Sequence, residues 1–334
     1  MDKILHNKYI VGAYATSPNI FNWDENSEVK YFDKLKKIKE LRGLELPFWG
    51  HGLHPFDDNF LLKNLDPKWE NIFTCVPGTV NFIEKDEFFG LSSKKEKSRI
   101  KAIKFYKKAF DSVNKIKSTF GEKSIFSILI TSSPQKHKNN TSVDSFVKSL
   151  MEIHSWDWGD TKINIEHCDA FGKLNPNPKK GYLALEDEIL SLKKVNNYIK
   201  SNIGIVINWG RSAIEYKGVN GPLKHIRKAL KSKVLSGLMF SGTSKLNSVY
   251  YGSWSDLHMP PSPYKNFKFF EKNSLMSHNN IKNSIILCKD ASLDFFGIKL
   301  HSDPKNLSID KIILINQNTL SLLKDISLNI NNNK

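Results

Sequence analysis

Cysteine is scarce: Cys75, Cys168 and Cys288 are the only three in 334 residues. They share no CxxC spacing, which excludes a disulfide framework and a zinc knuckle. Long hydrophobic runs are missing as well. None reaches the roughly 18 residues of a membrane span, and MDKILHNKYIVGAYA at the N-terminus lacks the apolar stretch and cleavage site of a signal peptide. The expected location is therefore cytoplasmic, with no membrane partner. Neither GxGxxG nor GxxxxGK[ST] follows the first strand-like run, which argues against a nucleotide-binding open sheet. Arginine is the fourth shortage: among 50 Lys and Arg residues only Arg42, Arg99, Arg211 and Arg227 are arginine. The formal charge of +16 is thus almost wholly lysine, interspersed with asparagine as in the terminal NINNNK. That bias fits solvated helix faces under AT-rich codon usage, whereas a nucleic-acid surface would gather Arg and aromatics on one stripe. Nucleic acid is not an expected partner.

What is present is a long alternation of strand-like and helical patterns. Apolar residues make up 40% of the chain, enough for a sizeable core. Strands are expected at Tyr9–Ala15, Gly43–Phe48, Asn71–Val76, Ile125–Thr131, Lys162–His167, Ile203–Trp209, Val234–Ser241 and Phe295–Leu300. Helical patterns fall between them, notably Glu28–Glu40, Lys94–Phe120, Ser142–Ile153, Leu185–Ser201 and a closing Ile309–Ile326. Gly221-Pro222 opens another, with proline at its favoured first position. Eight β-then-α units without interruption point to a single α/β domain, a (β/α)8 TIM barrel over residues 1–328, with 329–334 as a frayed tail.

Active sites of such barrels lie at the C-terminal ends of the strands. Side chains alternate faces along a strand, so the polar residues that face inward can be read directly. With Leu44 and Leu46 toward the helices, Glu45 points into the barrel. Ile163 and Ile165 outward leave Glu166 inward; Ile205 and Ile207 outward leave Asn208 inward. Ser241 caps the inward row of Gly237 and Met239, and Lys299 stands inward above Gly297. Burying two carboxylates and an ammonium is costly unless they pair, so a salt-bridge plug and a catalytic ring are the competing readings. Just beyond the strands come Trp49, His51, His54, His167, Asp169, Arg211 and Trp254, aromatic faces beside hydrogen-bonding groups that suit a polyhydroxylated ligand. Glu166, His167 and Asp169 are close enough in sequence to suggest metal ligation. Arg211 and Glu215 have the spacing of a helical ion pair, with substrate binding as the other use of Arg211. Gly242, Thr243 and Ser244 could present amides to a phosphate or form a simple turn. WDWGD (Trp156–Asp160) precedes a strand and belongs to the stability face.

At IEHCDA, INWGRSAIE and MFSG the sequence resembles the xylose-isomerase-like group of sugar isomerase/epimerase barrels. It is most similar to an uncharacterised bacterial family within that group, in which LELPFWG, CVPGT, SWDWG, EHCDA, NWGRSAIE, GLMFSG and a final GIK recur. The resemblance runs from Tyr9 to Lys299. It implies a small-molecule carbohydrate, free or phosphorylated, a proton transfer or hydride shift, and one divalent metal (Mn, Mg or Zn) held at strand ends. Glu166 matches the acidic ligand of strand five. Asn208, Ser241 and Lys299 depart from the usual ligand types, so the four-ligand site is incomplete. The expected reaction is carbohydrate isomerisation or epimerisation, with Glu166 removing a proton alpha to a carbonyl and Lys299 stabilising the enolate oxygen. Glu45, Trp49, His51, His54, His167, Asn208, Arg211, Ser241 and Trp254 would bind substrate. The alternatives are a Schiff-base lyase or aldolase using Lys299 and a sugar-binding barrel without catalysis. A homodimer is compatible with either.

Overall fold

The computed structural model describes residues 7–18, 22–303 and 307–332. Eight strands close in chain order into a parallel barrel: β1 (Tyr9–Val11), β2 (Leu41–Pro47), β3 (Asn71–Thr74), β4 (Ile125–Ile130), β5 (Lys162–His167), β6 (Gly204–Asn208), β7 (Leu235–Phe240) and β8 (Phe295–Ile298). Helices follow every strand. They are α1 (Ala13–Thr16), α2 (Glu25–Leu35), α3 (Asp58–Asn64), α4 (Val76–Lys85), α5 (Glu96–Phe120), α6 (Val143–His154), α7 (Leu185–Tyr198), α8 (Trp209–Tyr216), α9 (Asn220–Lys231), α10 (His278–Leu287) and α11 (Ile309–Asn332). The strands are almost continuously buried, as parallel strands covered by helices must be. Among the described residues no helix is long and apolar enough to cross a membrane.

The chain divides into two compact units, one of Met1–Glu45, Asn64–Trp69 and Ile207–Lys334, the other of Leu46–Lys63 and Glu70–Val206. In the first, β1 pairs with β2 and β8, and β7 pairs with β8. In the second, β3, β4 and β5 pair in series.

Three local departures from the sequence expectation have physical reasons. Strand-like alternation continues through Tyr9–Ala15, yet β1 stops at Val11 and the alanines of Ala13–Thr16 form a helical turn instead. Directly after β6, the Asn208 side chain accepts the Arg211 amide at 3.3 Å and starts α8, so an extra helix precedes the one opened by Gly221-Pro222. The closing helix runs past Ile326 to Asn332, which takes in most of the segment expected to fray; residues 333–334 lie outside the described residues.

The outer helices are joined by ion pairs. Buried Arg99 of α5 holds Glu96 through Nε at 2.8 Å and Glu152 of α6 through Nη1 at 3.3 Å. Hydrogen bonds from Arg99 and Lys148 lower the Glu96 carboxyl from 4.5 to about 2. A lowered folded value means the contribution is present above 4.5 and lost as the pH falls toward about 2. Solvent screens this largely exposed carboxylate, so the effect is small. Glu96→Gln should therefore unfold slightly earlier than the parent at neutral pH, and the two should converge in acid. A gap that stays constant across an acid titration of thermal unfolding would contradict this.

Candidate active site at the strand ends

In the first unit, strand register builds a polar layer. Val11 lies opposite Leu44 on β2 and opposite Ile298 on β8, so the next residues, Gly12, Glu45 and Lys299, fall side by side. Phe240 also lies opposite Ile298, which brings Ser241 to the same level. Lys299 Nζ stands 2.7 Å from Glu45 Oε1, and both side chains are 0% exposed. The ammonium also lies 5.7 Å from the centroid of the Tyr14 ring on α1, within cation–π range. Gly12 makes room for the pair: a Cβ there would sit 2.9 Å from Glu45 Oε2 and 3.0 Å from Lys299 Cγ.

The ends of β6 and β7 are knitted together beside this layer. Ser241 Oγ donates to Asn208 Oδ1 at 2.9 Å. Gly210 lets α8 approach β7, because a Cβ there would be 2.6 Å from the Ser241 carbonyl oxygen. Arg211, on α8, gives Nε to Asp256 Oδ2 at 3.1 Å, with both side chains almost fully buried. Asp256 belongs to the long connection after β7, and its other oxygen is 3.6 Å from His258 Nδ1. Arg211 therefore meets Asp256, a partner that neither expected use named, while Glu215 Oε1 lies 3.4 Å from His225 Nε2.

The second unit holds the remaining candidates. Glu166 is fully buried at the end of β5, with the Thr74 hydroxyl 3.5 Å from its Oε2. His167 points elsewhere, as strand alternation requires: its Nδ1 is 2.8 Å from Glu188 Oε2 on α7, and Ser132 donates to the other oxygen of Glu188 at 2.5 Å. Asp169 Oδ2 accepts the Lys180 amide at 3.4 Å. Among the described residues, the His/Cys/Asp/Glu side chains grouped closely enough to hold a metal ion include His167 but neither Glu166 nor Asp169. Adjacent positions on an extended strand cannot aim at one point.

Trp49 is half-buried, and its indole N–H is enclosed without a hydrogen-bond partner among the described residues. His51 is exposed. His54 serves its own loop: Nδ1 accepts the Asp57 amide at 3.1 Å and the ring packs on Phe60. Trp254, with a left-handed φ of 52°, lies under Lys217 Nζ at 5.4 Å from the ring centroid. Gly242 and Met259 exchange both backbone hydrogen bonds, at 2.9 and 3.1 Å, so the SGTS segment is held to its own loop by an antiparallel bridge. Trp156 and Trp158 of WDWGD stack on each other against Phe110, a packing role.

A divalent metal at the strand ends of the first unit does not fit this donor set. Lys299 contributes a cation, and Asn208 Oδ1 already accepts both a hydroxyl and an amide proton. Sequence reasoning missed Tyr14, Asp256 and Glu188. Tyr14 was hidden by reading α1 as strand, while Asp256 and Glu188 meet their partners only through tertiary folding.

Comparison with known proteins adds relatives to this geometry. The model of a domain of unknown function, DUF4862, matches residues 10–315. The uncharacterized protein STM3670 of Salmonella typhimurium strain LT2 is 32% identical over 318 residues, covering 95% of this chain and 96% of that one. Among solved structures, a D-tagatose 3-epimerase-like protein superposes with a TM-score of 0.58 at 15% identity, covering 96% of this chain and 99% of its own. The D-psicose 3-epimerase of Clostridium cellulolyticum H10, solved with D-tagatose, gives 0.57 at 13% identity, with 96% and 99% coverage. The IolI protein with a bound zinc atom gives 0.55 at 10% identity, with 95% and 98% coverage. These neighbours are xylose-isomerase-like sugar isomerase and epimerase barrels, and at such identities they speak to the fold.

Proposed function

The chain belongs to the DUF4862 family, and from that premise we propose that it is a carbohydrate isomerase or epimerase that moves a proton at a carbon next to a carbonyl. The observation that carries this reading is the Glu45–Lys299 pair, wholly buried where β1, β2 and β8 end. A buried ion pair is a poor device for stability, since apolar residues of the same volume often do as well or better. Its position at the catalytic end supports chemistry.

Lys299 supplies a fixed positive charge against the oxygen that becomes negative as the enolate forms. An oriented cation in a water-poor site stabilises such charge without reorganising. Glu45 and Tyr14 hold the ammonium in place. Glu166, buried beside Thr74, is the proposed proton acceptor, a carboxylate already stripped of water and thus a stronger base. Arg211, Asn208, Ser241 and Trp49 are the proposed contacts for substrate hydroxyls, with lesser parts for exposed His51 and for His54, His167 and Trp254, which have attachments of their own. No step is routed through a metal. The 3-epimerase names of the structural neighbours agree with proton transfer beside a ketone and with a small sugar as ligand.

A Schiff base on Lys299 is the second reading. It requires a neutral amine, which would sacrifice the ion pair with Glu45, so the geometry favours the cation. Borohydride treatment in the presence of ketoses should leave Lys299 unmodified by peptide mass spectrometry. A trapped substrate adduct at Lys299 would reverse the order of the two readings.

A further inference from the structure

Two residues beyond Lys299 the first unit carries a second proton-handling group. Lys299 donates its backbone amide to the Phe240 carbonyl at 2.9 Å, and His301 donates its own to the His258 carbonyl at 2.8 Å. β8 ends at Ile298, but alternate amides bonded in this way, with Leu300 buried between them, fit extended chain beyond it, which would put Lys299 and His301 on one face and Leu300 on the other. His301 Nδ1 is 2.7 Å from Asp303 Oδ2, and the two side chains are 19% and 11% exposed. Tyr251 supports the ring edge-on at 6.5 Å between centroids, and its hydroxyl donates to the His301 carbonyl at 3.5 Å. Among the described residues Nε2 has no hydrogen-bond partner.

We infer that His301 is a general acid–base of the proposed reaction, oriented by Asp303, and works one step above Lys299 on the same face of the β8 extension. The inference rests on the isomerase or epimerase reading and adds a residue to it. A carboxylate fixed on Nδ1 sets the tautomer and ring orientation and leaves Nε2 to face a ligand. In the reaction, a carboxylate takes the proton from the carbon beside the carbonyl, and the electron pair moves to the carbonyl oxygen. The imidazolium of His301 gives its Nε2 proton to that oxygen, producing a neutral enediol. When carbon is reprotonated, the oxygen returns its proton to Nε2. No oxidant or reductant is consumed, and the ring ends in its starting state. Asp303 is a positioning residue, since it acts through the imidazole. The titratable groups against the ring are Asp303 and Tyr251; burial, and then the Asp303 charge, keep the Tyr251 hydroxyl protonated far above neutrality.

The test measures deuterium uptake from D2O into a panel of D-ketohexoses and their phosphates, with turnover followed across pH. His301→Gln should lower kcat by roughly 10²- to 10⁴-fold and erase the limb of the pH profile that His301 produces. Asp303→Asn should lower kcat less than His301→Gln and change the shape of the pH profile, because the imidazole loses the carboxylate that orients it. A purely structural role would lower stability without moving the limb, and both variants are checked by thermal unfolding. Should His301→Gln fail to fold, Asp303→Asn alone carries the test through its pH profile. Exchange by the parent protein that persists undiminished in His301→Gln would overturn the dyad and leave the isomerase reading standing. No exchange by the parent protein would overturn both.

Discussion

Replacing Lys299 by methionine is expected to destabilise the protein by roughly 3–5 kcal/mol, because it takes the ammonium away from the buried Glu45 carboxylate. Both partners are fully enclosed and 2.7 Å apart, so no rotation can carry the orphaned charge to water without opening the barrel end. Glu45→Leu alone should cost a similar amount by stranding the ammonium. The double variant Glu45→Leu/Lys299→Met removes both charges and fills similar volume, and it should regain most of the stability or exceed the parent. It should nevertheless have no isomerase activity. Urea unfolding of the four proteins measures this cycle. A double variant no more stable than the singles would mean that the pair is there to hold the barrel together. Gly12→Ala probes the same layer more gently, since its Cβ must push the pair by several tenths of an ångström.

Glu166→Gln should act in the opposite way, sparing the fold and removing the reaction. The substitution keeps the shape and can still accept from Thr74, 3.5 Å away, but cannot receive a proton from carbon. A loss of roughly 10²- to 10⁴-fold in kcat is expected, with KM and the unfolding midpoint little changed. An unimpaired Glu166→Gln protein would sink the assignment of Glu166 as the base. Unfolding, by contrast, would reveal a structural role for the carboxylate.

The barrel was legible in the sequence because eight apolar runs recur with helical patterns between them, and closure follows from that rhythm. Alternation also placed Glu45 and Lys299 on inward faces, a property of each strand alone. Their pairing was not legible. It depends on the register of β1 with β2 and β8, which is set by hydrogen bonding between separate segments, Val11 meeting both Leu44 and the distant Ile298. The partners of Arg211 and His167 were hidden for the same reason: Asp256 is 45 residues from Arg211, and Glu188 is 21 from His167. The metal trio at Glu166, His167 and Asp169 was read from closeness in sequence, whereas neighbouring strand residues face apart. Asp303 follows His301 by two residues in LHSD, a spacing that was readable and passed over.

Proton exchange at a carbon beside a carbonyl is measured most directly by proton NMR of D-ketohexoses and their phosphates incubated with the protein in D2O. The expected result is protein-dependent loss of one C–H signal next to the carbonyl, retained by Glu96→Gln and absent with Lys299→Met/Glu45→Leu. Conversion of a sugar without deuterium uptake, or uptake that survives loss of the buried pair, would contradict it.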